Sequence, residues 1–161
     1  MTALIRDVGR ESRDALLPLM EGLQAVELSM EPNRVPPDEI APHLDHLLDM
    51  VEKRGGVVLL AEDAGAPVGF LIGVCTEEDG LYTLAENRAL GAVTDLFVAP
   101  EARRQGLASR LLAEAETRFK ALGRARMDIG ALAANGPARA LYLRWAGAEG
   151  AVLYGKSLRD P

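Results

Sequence analysis

What most restricts this chain is a strand, a short basic loop containing glycine and a long helix in unbroken succession. The run Ala92-Val93-Thr94-Asp95-Leu96-Phe97-Val98 is rich in β-forming residues and ends before Pro100. The loop Arg103-Arg104-Gln105-Gly106-Leu107-Ala108 follows. From Gly106 to Leu122 the apolar residues Leu107, Leu111, Ala115, Phe119 and Leu122 recur at helical spacing, the stripe of a helix lying on a sheet. Gly123 closes that helix. A helix start leaves its first N–H groups unpaired and carries partial positive charge, and glycine lets the backbone approach an anion closely. Arginines at such a start are unfavourable unless an anion sits there, so Arg103 and Arg104 point to a phosphate-binding loop rather than to solvated surface charge.

The rest of the chain alternates helix and strand around this unit, with no internal repeat. Leu4 to Val8 reads as a first strand, and Glu11 to Ser29 as a helix carrying Leu16, Leu19, Leu23, Val26 and Leu28 on one face. Pro37-Asp38-Glu39 has the proline-plus-acid signature of a second helix start, running to Arg54 before Gly55-Gly56. Val57–Ala61 and Val68–Ile72 form a hairpin turning through Ala64 to Pro67, and the polar segment Thr76 to Arg88 leads into the central strand. A strand at Arg126 to Ala131, a helix from Pro137 to Trp145 and a last strand at Ala151 to Ser157 complete an α/β (α+β) chain with one central sheet. At 161 residues it is one domain spanning 1–161.

Composition removes several classes of function. A net charge of -6 argues against a nucleic-acid partner, which needs a strong basic surface, and suits a cationic acceptor instead. The N-terminus lacks the basic and apolar regions of a signal peptide and no stretch approaches 18 apolar residues, so no membrane partner and a cytoplasmic location are expected. The single Cys75 reads as a small buried strand residue. His43 and His46 can share a helix face, but two histidines with no further ligand nearby do not make a metal site, and no metal is expected.

The loop resembles the pyrophosphate-binding pattern of the GNAT superfamily, which reads Gln or Arg, two residues, Gly, one residue, then Gly or Ala. Arg103, Gly106 and Ala108 fill it. The upstream Asp95-Leu96-Phe97-Val98-Ala99-Pro100 is similar to the family's strand before the loop, and Asn135, Ala138, Leu141 and Tyr142 match its Asn-x-x-Ala-x-x-Leu-Tyr helix. The resemblance implies the GNAT acyl-CoA N-acyltransferase fold, a mixed and mostly antiparallel sheet flanked by helices. It departs at position 146, where alanine stands and Gly147-Ala148 follows one residue late, so the register of the last strand is open.

For function, the resemblance implies an acetyl-CoA-dependent N-acetyltransferase acting on a small amine-bearing acceptor by direct transfer in a ternary complex. Leu96, Phe97 and Val98 would lie against the pantetheine arm. Backbone N–H groups over Arg104, Gln105, Gly106, Leu107, Ala108 and Ser109, beside Arg103, would hold the pyrophosphate, and Asn135 would contact the arm. Tyr142 would protonate the departing thiolate. Asp95 and Glu86 are both candidates for the base, with no pattern to decide between them, and the family geometry implies that Val98 N–H would be the donor for the developing oxyanion. Asn135 before Gly136-Pro137 also reads as a helix cap, and Tyr142 as part of a core-packing face. A non-catalytic acyl-CoA sensor and an interaction module are the rival readings. The family's last strands often pair between subunits, so a homodimer is open. Acceptor choice falls to Leu28–Pro42 and Thr76–Arg88, and aminoglycosides, polyamines, amino acids and protein N-termini all remain open.

Overall fold

The computed structural model describes residues 2–159. Five strands build one sheet in sequence order: β1 Leu4–Asp7, β2 Gly56–Asp63, β3 Ala66–Glu77, β4 Ala89–Val98 and β5 Arg126–Ile129. The first three pairings are antiparallel and the last is parallel. Four helices flank the sheet: α1 Arg13–Leu28, α2 Ala41–Arg54, α3 Leu107–Ala121 and α4 Gly136–Ala146. A parallel neighbour cannot be reached by a hairpin, and α3 is the crossover from β4 to β5. The β2–β3 hairpin closes through Ala64 and Gly65, whose φ of 48° and 82° are those of a primed turn matching strand twist.

Alternation along the strands divides the core in two. Val58, Leu60, Phe70, Ile72 and Phe97 face α1 and α2, meeting Leu16, Met20, Leu44 and Leu48. Val57, Leu59, Leu71, Val93 and Val98 face α3, meeting Leu107, Leu111, Ala115 and Phe119. Gly73 and Gly91 make room for the Phe119 ring, since a Cβ at either would lie 2.8 Å or 2.5 Å from it. Leu141, Tyr142 and Trp145 of α4 pack against the α3-side core, yet α4 has no fully buried residue.

Three expectations need correction. Residues 148–159 form no strand, and Val152, Leu153 and Tyr154 are 64%, 96% and 89% exposed. The stretch has strand-forming residues, but a strand persists only beside a partner, and none is present among the described residues. The Pro37 start gives a 3₁₀ turn over Pro37–Glu39, and α2 begins at Ala41, where Pro42 needs no N–H. Strand β3 continues through Cys75, which is buried as expected, to Glu77. Among the described residues no helix is long and apolar enough to cross a membrane.

Candidate active site

An irregularity in β4 decides which way its side chains point. Ile72 pairs with Asp95 but Gly73 pairs with Val93, so Thr94 is an extra residue with no partner on β3. Thr94 Oγ1 bonds the Ile72 carbonyl at 3.2 Å. Before the bulge Val93 faces α3; after it Phe97 faces α1 and α2. Asp95, opposite Ile72 and two residues before Phe97, is thereby delivered to the α1/α2 side.

Strand β4 also outruns its neighbour. It pairs with β5 only through Leu90–Val93, and among the described residues no strand lies beside Thr94–Val98 on that side. Ala99 N donates to Val68 O at 2.9 Å, and successive backbone groups of an extended chain face opposite ways, so the N–H groups of Leu96 and Val98 face the open side. The Val98 carbonyl faces it too and accepts from Arg103 Nε at 2.9 Å. That guanidinium lies over the Phe97 ring, 5.6 Å from its centre.

The loop then enters α3 through two left-handed residues, Arg104 at φ 62° and Gly106 at φ 74°. A non-glycine residue held there is strained by about 1–2 kcal/mol, a cost associated with functional loops. The space around Gly106 is open, and among the described residues no side chain caps the helix. Its first helical bond runs from Arg110 N to Gly106 O, so the N–H groups of Leu107, Ala108 and Ser109 precede the ladder. An uncapped row of donors of this kind fits a phosphate.

Beside β4, ionisable groups from five parts of the chain converge. Asp95, its side chain only 10% exposed, meets His43 Nε2 of α2 at 3.4 Å, while the His43 side chain is 43% exposed. Asp95 Oδ2 is buried with no hydrogen-bond partner among the described residues. Glu27 of α1 pairs with Arg34 at 3.2 Å, and burial raises its carboxyl above the usual range. The buried Gln24 holds this connection in place by donating to Val35 O at 2.7 Å. Tyr142 of α4 packs against the α3-side core but lies within reach of these charges: burial pushes its phenol up to about 12, with Glu27 and Asp95 adding to the effect. The bond to Asp95 raises His43, against the opposing effect of burial.

The structure therefore brings Asp95, Tyr142, Leu96, Phe97, Val98 and the loop to one region. Asn135 caps α4, its Oδ1 accepting from Ala138 N at 3.2 Å, and its amide nitrogen has no hydrogen-bond partner among the described residues. Glu86 stands apart, exposed in a 3₁₀ turn over Ala85–Asn87 that precedes β4. From Ala89 to Asp95 the strand alone covers about 20 Å. His43, Glu27 and Arg34 were not among the sequence candidates. No local signal marks them, because the His43–Asp95 contact joins residues 52 apart.

A model described as the acetyltransferase (GNAT) family matches residues 23–148. The chain belongs to the GNAT family. The matched span takes in β4, the loop, α3 and α4. Among solved structures, a GCN5-related N-acetyltransferase from Ralstonia eutropha is 19% identical, with a TM-score of 0.76 over 97% of this chain and 98% of that one. An aminoglycoside 6'-N-acetyltransferase from Acinetobacter haemolyticus is 21% identical, with a TM-score of 0.69 over 98% and 99% of the two chains. A ribosomal-protein-alanine N-acetyltransferase from Brucella melitensis is 20% identical, with a TM-score of 0.67 over 99% of each chain. At these identities the likeness is one of fold, a five-stranded mixed sheet flanked by helices. No curated protein sequence matches the chain.

Proposed function

We propose that this GNAT-family protein is an N-acetyltransferase that carries the acetyl group of acetyl-coenzyme A to a primary amine of a small molecule or peptide, by direct attack in a ternary complex. The observation that carries this reading is the uncapped, left-handed entry into α3 lying directly after the open edge of β4. A phosphate fits the first and an extended amide-bearing arm fits the second. Backbone N–H groups from Arg104 to Ser109 would hold the pyrophosphate, with Leu96, Phe97, Val98 and the Asn135 amide along the arm. Acetyl-coenzyme A supplies an activated thioester.

The residues then divide the remaining work. Val98 N–H, facing the open side, donates to the carbonyl oxygen that gains negative charge. Tyr142 keeps its proton at any physiological pH because burial raises its phenol, so it is a stable donor to the departing sulfur. The proton lost by the amine leaves at the Asp95 end of the site, and the exposed, distant Glu86 has no part in that step. An acidic region lined by Glu27 and Asp95 attracts a cation, which is how an amine arrives.

The test is a thermal shift with acetyl-coenzyme A, followed by thiol release against a panel of amines. Kanamycin, spermidine and an alanine-terminated peptide belong in the panel, because structural neighbours include enzymes named for aminoglycosides and for ribosomal-protein alanine. Saturation at 100 times the dissociation constant adds about 2.7 kcal/mol of stability. Binding together with amine-dependent thiol release establishes the transferase. Binding without release from any amine replaces it with an acyl-CoA sensor, and absence of binding removes both.

A further inference from the structure

We propose that His43 is the group that takes the proton from the acceptor's ammonium, and that Asp95 acts through it as the positioning residue. This assignment rests on the transferase reading. The argument begins with the bulge at Thr94, which turns Asp95 toward α2 and against the His43 ring. A carboxylate only accepts hydrogen bonds, so the ring nitrogen facing it, Nε2, carries the hydrogen in neutral His43. That leaves the lone pair on Nδ1, on a ring that is exposed enough for an incoming amine to reach it.

Asp95 cannot make the same contact as readily. Its Oδ2 is buried and its side chain is nearly enclosed, whereas His43 opens to solvent. At 3.4 Å the His43–Asp95 contact is at the long end of the hydrogen-bond range, and protonation of the ring converts it into a shorter, charge-assisted bond. A buried carboxylate with one unpartnered oxygen gains most from a cation formed beside it. The groups facing His43 from each packed element agree in sign except one: Asp95 from β4 and Glu27 from α1 favour the protonated ring, and Arg34 from the α1–α2 connection opposes it. Arg34 is itself paired with Glu27.

The step balances. Neutral His43 takes one proton from the ammonium, and the freed nitrogen lone pair forms the C–N bond as the C–S bond breaks. The Tyr142 hydroxyl protonates the sulfur, and the second proton shed by nitrogen returns to the Tyr142 oxygen. His43 then releases its proton to water through its exposed face. One proton leaves per turnover, as amide formation from an ammonium requires.

The test is the pH profile of thiol release from acetyl-coenzyme A, with the amine of the panel that drives it, in wild type, His43→Gln and Asp95→Asn. Alongside it, proton NMR titration follows the His43 ring, identified by its absence in His43→Gln. Wild type is expected to show an ascending limb with a midpoint above the ordinary 6.5 of histidine. In His43→Gln that limb disappears and kcat falls about 10²–10⁴-fold, while the thermal shift with acetyl-coenzyme A is retained. In Asp95→Asn the limb and the NMR midpoint both move to lower pH, a displacement that a merely structural role for Asp95 would not produce. A His43→Gln enzyme that keeps the limb and about wild-type kcat overturns the assignment alone. So does a His43 midpoint at or below 6.5 that is unmoved in Asp95→Asn. Wild type that fails to bind acetyl-coenzyme A, or to release thiol with any amine, overturns the transferase reading first and this assignment with it.

Discussion

At the scale of single residues, Tyr142 is governed by where α4 puts it. The phenol is pushed up to about 12, chiefly by burial, so its neutral form persists through the working range. Tyr142→Phe removes the hydroxyl and keeps the ring, and kcat is expected to fall about 10²–10⁴-fold with acetyl-coenzyme A affinity unchanged. Steady-state thiol release and a binding isotherm check the two halves. Because the raised value keeps the proton in place, wild-type activity should show no loss attributable to Tyr142 up to about pH 10, the ordinary titration point of tyrosine. A descending limb below that point which vanishes in Tyr142→Phe would contradict the burial argument. The sequence pointed to Tyr142 through the Asn135-to-Tyr142 pattern, and to Asp95 only as one of two carboxylates, beside Glu86. It could not supply His43, which next to His46 suggested only an insufficient metal pair, because the partner that gives it meaning arrives from β4.

At the scale of elements, the sheet's two faces are set by small local choices. Gly91 lies under Phe119, and a Cβ there would come 2.5 Å from the ring. Gly91→Ala therefore forces the fully buried Phe119 to shift, and overpacking of this kind costs about 1–3 kcal/mol. The α3 docking should loosen with it, read as a lower midpoint in urea unfolding at unchanged slope. Gly130, with open space around it, is the control: Gly130→Ala should move the midpoint little. Helices α1, α3 and α4 were readable within a residue or two of their ends, because apolar spacing and terminal Gly or Pro are local signals. The Thr94 bulge was not, since β4 reads as a mostly apolar run with no apolar–polar alternation for an extra residue to interrupt, and only the pairing to β3 shows it. That one residue determines whether Asp95 faces α2 or α3.

At the scale of the whole molecule, the folded unit ends with α4, and the stretch from Ala148 to Arg159 adds no helix or strand. Its apolar side chains are exposed, Leu153 by 96% and Leu158 by 91%, so it contributes little to the core. Brief trypsin treatment should cleave first after Lys156 and Arg159, leaving a trimmed core whose melting temperature is close to that of the intact chain. Early cleavage instead within α1 or α3 would mean the stretch is protecting the fold. The expected last strand was unreadable for a related reason: Ala151 to Ser157 has the residues of a strand, and whether it becomes one depends on a neighbour that the sequence does not name.

The overhang of β4 beyond β5 makes a bound arm a surrogate neighbour for the sheet as well as a source of acetyl. Amide exchange would register that double role as an odd–even pattern along four consecutive residues. Phe97 and Ala99, which turn toward β3, should exchange slowly whether or not acetyl-coenzyme A is present. Leu96 and Val98 should exchange fast in the free protein and slow on binding, so that the ligand is read as every second rung of a ladder being filled.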